Sequence, residues 1–199
     1  MARIIKIWAG GSAFVFLAFL IAYQVWTLDI LLTLCITFGT IAYHFVMRLG
    51  VGAAVNGIFH NKMNYKRWWF RPRRFEKGLY RFLNVKRWKK FVPTYDLDEF
   101  SAKEHTFEEL VQATCQAEVV HEIIVLFSFV PILFAIPFGA LAVFLITSVL
   151  SAALDTVFVI LQRYNRPRLV RVLKEGVREI CKHNSGAMSV CAIGTDHDE

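Results

Sequence analysis

At 199 residues the chain has room for one compact unit, and 56% of it is hydrophobic, above the ~45–50% usual for soluble domains. Its mean hydropathy is positive and its formal net charge is +7. That combination excludes an ordinary soluble domain and points to a membrane protein.

Crossing the hydrocarbon takes about 20 mostly apolar residues in a helix. Four runs meet that requirement, at roughly residues 7–26, 28–46, 119–134 and 138–161. Arg3 and Lys6 precede the first run as they would in a secretory signal. The run is longer than a signal core and leads straight into a second, so it reads as a retained anchor. Only Thr27, with Asp29 close by, interrupts the first two runs, which predicts a tight helical hairpin. The last two runs are joined across Pro131 and Pro137. The expectation is an all-α, polytopic fold. It is a single membrane domain, 1–199, with four transmembrane helices and a basic, aromatic-rich segment, 48–118, between the second and third.

Lys and Arg fall 2 before the first run, 14 between the second and third and 7 after the fourth, with none in either hairpin turn. By the positive-inside rule, both termini, the 48–118 segment and the tail 163–199 lie on the cytoplasmic side of a multi-pass cell-membrane protein. Cys35, Cys115, Cys181 and Cys191 show no paired spacing, which indicates neither a disulfide framework nor a zinc site.

Gly50 and Gly52 predict a loosened end to the second helix, with residues 51–60 along the interface or re-entering the bundle. Residues 64–93 interleave Trp68, Trp69, Phe70, Phe75, Tyr80, Phe82, Trp88 and Phe91 with basic side chains. Aromatic rings and cations so mixed suit the headgroup zone. Nucleic-acid binding is the competing reading of such a patch, and attachment to four apolar runs argues against it. Residues 94–103, with Asp96, Asp98 and Glu99, read as a solvated linker.

A helix is expected from near His105, because Thr106 and Glu109 have capping-box spacing. Helical periodicity places Glu108, Val111, Cys115, Glu118 and Glu122 on one stripe, with His121 a turn from Glu118. Ionisable groups at a membrane boundary are costly unless paired or facing a polar cavity. Glu118 three residues before His121 can orient the imidazole as a general base toward a hydroxyl. The plainer alternative is a hydrated interfacial helix end, with no chemistry.

Asp155 is the only ionisable side chain from 137 to 161. A lone carboxylate at that depth must be protonated or paired, and His121, His44 and Arg163 are the partners within reach. It is then a polar pocket floor, or a neutral group bonded to backbone. The fourth run closes on Gln162-Arg163-Tyr164-Asn165-Arg166-Pro167-Arg168-Leu169. Guanidinium and amide donors crowded at a membrane boundary suit a ligand that is half lipid and half phosphate, carboxylate or sugar. A plain cytoplasmic flank would need only charge.

Three blocks in order carry a resemblance: Asn84 to Lys89 (NVKRWK), Glu108 through Gln116-Ala117-Glu118-Val119-Val120-His121, and Leu161 to Leu169 (LQRYNRPRL). They resemble the glycosyl-4,4'-diaponeurosporenoate acyltransferases, small membrane enzymes of carotenoid biosynthesis, over about residues 68–174. The third block is nearly letter-for-letter. The chain departs from the pattern in an extra helix in its first hairpin, in Gln116 where the family tends to have Arg, and in Asp155 at a polar uncharged position. The resemblance implies transfer of a fatty acyl group to a sugar hydroxyl of a membrane glycolipid or glycosylated isoprenoid.

On that basis His121 and Glu118 are the expected base and its orienting group, and Asn165 or Arg166 the oxyanion donor. Arg87, Trp88, Lys89, Arg163, Arg168 and Asp155 are the expected substrate contacts. The donor is an acyl thioester on coenzyme A or an acyl carrier protein, and no separate cofactor, metal or nucleic acid is expected. The other partners are membrane lipids and the lipid-linked acceptor. Two other classes stay open. One is a metal-dependent membrane oxidase or desaturase, since Glu118-x-x-His121 is half of a di-iron carboxylate pattern, with the second copy absent and His44 an extra ligand. The other is a non-catalytic lipid-binding or assembly subunit, which needs only the aromatic, basic segment.

Overall fold

A computed structural model describes residues 2–89 and 106–183. Every regular element among them is helical: α1 (Ala2–Trp26), α2 (Asp29–Phe59), the short α3 (Glu76–Phe82) and α4 (Val85–Trp88), α5 (Phe107–Phe127), α6 (Ala135–Phe138) and α7 (Leu141–His183). Four helical segments are long and apolar enough to cross a membrane: Arg3–Trp26, Asp29–Phe59, Phe107–Phe138 and Leu141–Arg178. Large apolar side chains such as Ile7, Phe14, Ile21, Leu126, Ile146 and Leu150 stand exposed along them, as in helices that face lipid. The expected linker at 94–103, His105 and the tail from 184 lie outside the described residues.

Thr27, at φ 46°, turns α1 back onto α2. Gly39 permits the close approach, since a Cβ there would lie 2.9 Å from two carbons of the Phe16 ring. α2 does not loosen at Gly50 and Gly52 as expected; it runs unbroken to Phe59. Each glycine costs only about 1 kcal/mol in a helix, and tertiary contacts hold the final turns. Gln116 Nε2 donates to Asn56 Oδ1 at 3.1 Å, and the Asn61 amide donates to Gln116 Oε1 at 2.8 Å. His60 and Asn61, both left-handed, then end the helix.

α5 opens on the expected capping box between Thr106 and Glu109. It starts well before the apolar run at 119 and stops at Phe127, ahead of a 3₁₀ turn, Val130–Phe134, that takes Pro131 in its first turn. Proline tolerates that position because its missing N–H would be unsatisfied there anyway. The reversal comes at Gly139 and Ala140, which both have positive φ.

α7 continues past the expected end near 161, through Pro167, to His183. An internal proline costs ~3 kcal/mol or more, and the bonds of Arg163 and Arg166 described below offset that loss.

α5 packs along α7, and both pack against α2. Tyr43 OH donates to the Phe127 carbonyl while Asn56 meets Gln116, so α2 and α5 run antiparallel. α7 returns antiparallel to α5, because Ser151 meets Ser128 and Arg166 meets Thr114.

Candidate active site

Two buried polar layers lie along the α5–α7 pair, one closed by the 68–82 segment and the other by α2. The layer toward the start of α5 centres on Glu118, whose side chain is fully buried. Arg163 Nη1 donates to its Oε1 at 2.7 Å, and Arg166 Nη2 donates to its Oε2. Arg166 is itself buried and also donates to Thr114 Oγ1 at 3.1 Å and the Thr114 carbonyl at 3.0 Å, with its guanidinium over the Phe70 ring. Arg163 reaches further, to Glu76 Oε1 and the Trp69 carbonyl. Tyr80 OH donates to Glu76 Oε2 at 2.9 Å, and burial together with that bond pushes the phenol above its ordinary range. Two carboxylates and two guanidiniums thus neutralise each other where a single charge would be prohibitive. They also tie the 68–82 segment to α5 and α7.

The second layer centres on Asp155, 2% exposed. Arg48 Nη2 donates to its Oδ2 at 2.5 Å and Arg48 Nε at 3.1 Å. The same guanidinium donates to Ser151 Oγ at 2.8 Å and to the His44 carbonyl at 3.1 Å. His121 Nδ1 lies 2.9 Å from Asp155 Oδ1, and its ring stacks on Phe158 at 4.8 Å. A carboxylate paired with a guanidinium is an acceptor, so Nδ1 is the donor, and in the neutral ring Nε2 presents a lone pair. The imidazole keeps 19% of its side-chain surface open. An oriented imidazole with a free nitrogen at an opening can take a proton from a hydroxyl.

The expected pairing of Glu118 with His121 is therefore corrected. Both guanidiniums of the first layer occupy Glu118, and Asp155, from α7, orients the imidazole instead. Of the three partners expected within reach of Asp155, His121 meets it, whereas Arg163 is held by the two glutamates, and Arg48 closes the other side of the carboxylate. His44 is buried with no hydrogen-bond partner for either ring nitrogen among the described residues. Asn165 and Arg166 are not brought to His121. Asn165 is ten residues beyond Asp155, about 15 Å along the helix, and Arg166 is spent on Glu118 and Thr114. Among the described residues no three His, Cys, Asp or Glu side chains cluster as a metal site needs.

The remaining expected contacts separate. Arg87 is exposed on α4. Trp88 Nε1 donates to the Leu83 carbonyl at 2.9 Å, which locks α4 with its fully buried Val85. Lys89 and Arg168 each approach the Tyr164 ring, at 5.2 and 4.5 Å from its centroid. Sequence reasoning does not single out Arg48 or Glu76. Arg48 counts among the cytoplasmic cations although it directly follows an apolar run. Glu76 carries a usable signal, being the only acidic residue between Asp29 and Asp96.

A family model described as glycosyl-4,4'-diaponeurosporenoate acyltransferase matches residues 66–175. The match takes in Glu76, Glu118, His121, Asp155, Arg163 and Arg166, and leaves Arg48 outside. No curated protein and no solved structure matches the chain. The family's name is that of an acyltransferase, which supports an acyltransferase function. With more than half of the 199 residues matched, the chain belongs to the glycosyl-4,4'-diaponeurosporenoate acyltransferase family.

Proposed function

We propose that this chain transfers a fatty acyl group from a thioester donor, coenzyme A or acyl carrier protein, to a hydroxyl of a membrane-embedded acceptor. The acceptor is a glycolipid or glycosylated isoprenoid, as the family's name suggests, and the hydroxyl is that of its sugar. The observation that carries the reading is the Asp155–His121 pair through Nδ1, with no hydrogen-bond partner on Nε2 among the described residues. His121 Nε2 takes the acceptor proton as the hydroxyl oxygen attacks the thioester carbonyl. The C–S bond then breaks, and His121 returns the proton to the departing thiolate. The exposed apolar flanks of α5 and α7 lie against lipid, where both the acyl chain and the acceptor dissolve. No cofactor beyond the donor enters this scheme.

The distribution of Lys and Arg supports a cell-membrane protein with both termini and the 66–89 segment in the cytoplasm, the side on which acyl thioesters are made.

The test is transfer by His121→Ala, set beside mass spectrometry of lipids from cells with and without the chain. The variant should lose at least ~10²-fold in rate while folding normally, and an acylated glycolipid should vanish with the chain. Near-normal turnover in His121→Ala overturns the assignment. An unchanged lipid profile with altered assembly of other membrane proteins favours a non-catalytic subunit instead.

A further inference from the structure

Lys89 and Arg168 both lie against the Tyr164 ring, and neither has a carboxylate partner among the described residues. Among the described residues Lys89 Nζ hydrogen-bonds only to Asn165 Oδ1, at a long 3.4 Å, and Arg168 Nη2 donates to Tyr164 OH at 2.8 Å. Both cations lie over the Tyr164 ring, which Tyr80 braces edge-on at 5.3 Å. Tyr80 is tied in turn to Glu76, so this aromatic platform is anchored to the buried charge network. On the other side, buried Val85 and the Trp88–Leu83 bond fix the turn that presents Lys89. Burial and the Arg168 charge hold the Lys89 ammonium below its ordinary range. Like charges held together on a braced support are relieved when an anion bridges them.

We propose that Lys89, Arg168, Tyr164 and Asn165 form a binding site for a phosphate-bearing group. Two cations with an amide and a phenol suit a phosphate monoester or diester, and they leave Arg163 and Arg166 to their buried glutamates. On the acyl-transfer reading, on which this assignment of the ligand rests, the position selects the donor. Tyr164 is nine residues beyond Asp155, so the site lies about 13 Å along the helix from the His121 pair. A donor whose phosphate and thioester sit at opposite ends of a long flexible arm, as in coenzyme A and acyl carrier protein, spans that gap. A lipid phosphate at the same membrane level offers the same chemistry.

The experiment uses the detergent-purified full chain and Lys89→Gln, Arg168→Gln and the double variant. Its first arm measures equilibrium binding of coenzyme A, which needs no turnover. The second measures retention of phosphatidylglycerol against phosphatidylcholine in nanodiscs. The third measures the ratio of kcat/KM for an acyl-coenzyme A to that for the same acyl group on pantetheine, which has no phosphate. Loss of a charge-assisted bond should weaken coenzyme A binding about tenfold per cation, and the donor ratio should fall with it. Lys89→Arg and Arg168→Lys should retain binding. Selective loss of phosphatidylglycerol, with coenzyme A binding intact, supports the phosphate site and assigns it to a lipid headgroup. If all three readouts are indifferent to both cations, there is no anion site. Coenzyme A binding that depends on the pair, in a chain that transfers no acyl group, would sink the catalytic reading and leave the site standing.

Discussion

Asp155 on α7 and His121 on α5 meet at 2.9 Å across 34 positions of sequence, and Arg48 from α2 closes the other side of the carboxylate. Three helices therefore contribute one group each to a single buried unit. Asp155→Asn removes the charge and allows the amide to present the wrong partner to Nδ1, freeing the imidazole to adopt the other tautomer. Turnover should fall by about 10²–10⁴-fold. Pairing it with Arg48→Gln removes the guanidinium left without its counter-charge. The double variant should regain folded yield without regaining rate. Full activity in either would reduce Asp155 to a structural hydrogen-bonder.

Glu118 is expected to behave differently. Its removal leaves two guanidiniums without their shared carboxylate, and Arg166 is almost wholly buried. Breaking a buried pair costs about 3–5 kcal/mol. Glu118→Ala should then lower the thermal inactivation temperature and the folded yield, while the fraction that folds keeps its pH–rate profile. A shifted profile with normal stability would return Glu118 to the role of orienting His121.

The contrast between these carboxylates marks where the sequence stops being legible. Hydropathy places four spans because each depends on about 20 neighbouring residues, and the Thr106–Glu109 cap is a contact three residues long. Helix ends were less readable: α2 passes Gly50 and Gly52, and α7 passes Pro167, because contacts with distant elements outweigh local preference. The polar residues of the site were nearly all visible as ionisable groups in or beside apolar runs. The meeting of Asp155 with His121 was legible too, because a lone carboxylate in an apolar run needs a partner. The hold of Arg163 and Arg166 on Glu118 and of Arg48 on Asp155 was not, since those partners lie on other helices. Spacing along a helix ranks near neighbours and is blind to the helix packed alongside.

Tyr80 gives the alkaline limit of the folded state. Burial first, and then its bond to Glu76, raise the phenol above its ordinary value. The folded protein thus holds that proton more tightly than the unfolded chain. The stabilisation is complete below pH ~10 and is lost as pH rises beyond it. Tyr80→Phe should be less stable than the wild type at neutral pH, by about 1–3 kcal/mol for an acceptor left unpaired, and that gap should narrow above pH 10. A gap that stays constant through that range would show that the phenol proton is not coupled to folding.

Orientation decides which side supplies the donor. Thr27 is exposed in the two-residue break between α1 and α2, and neither hairpin turn holds a Lys or Arg. Cys35 and Cys115 are buried, which leaves few native thiols to confuse a labelling experiment. Thr27→Cys should react with an impermeant thiol reagent in sealed cells, and Cys181 should react only after permeabilisation. The reverse pattern would put Lys89, Arg168 and the opening at His121 on the outer side. A thioester made in the cytoplasm could not reach them there, and both the donor and its phosphate site would have to be abandoned.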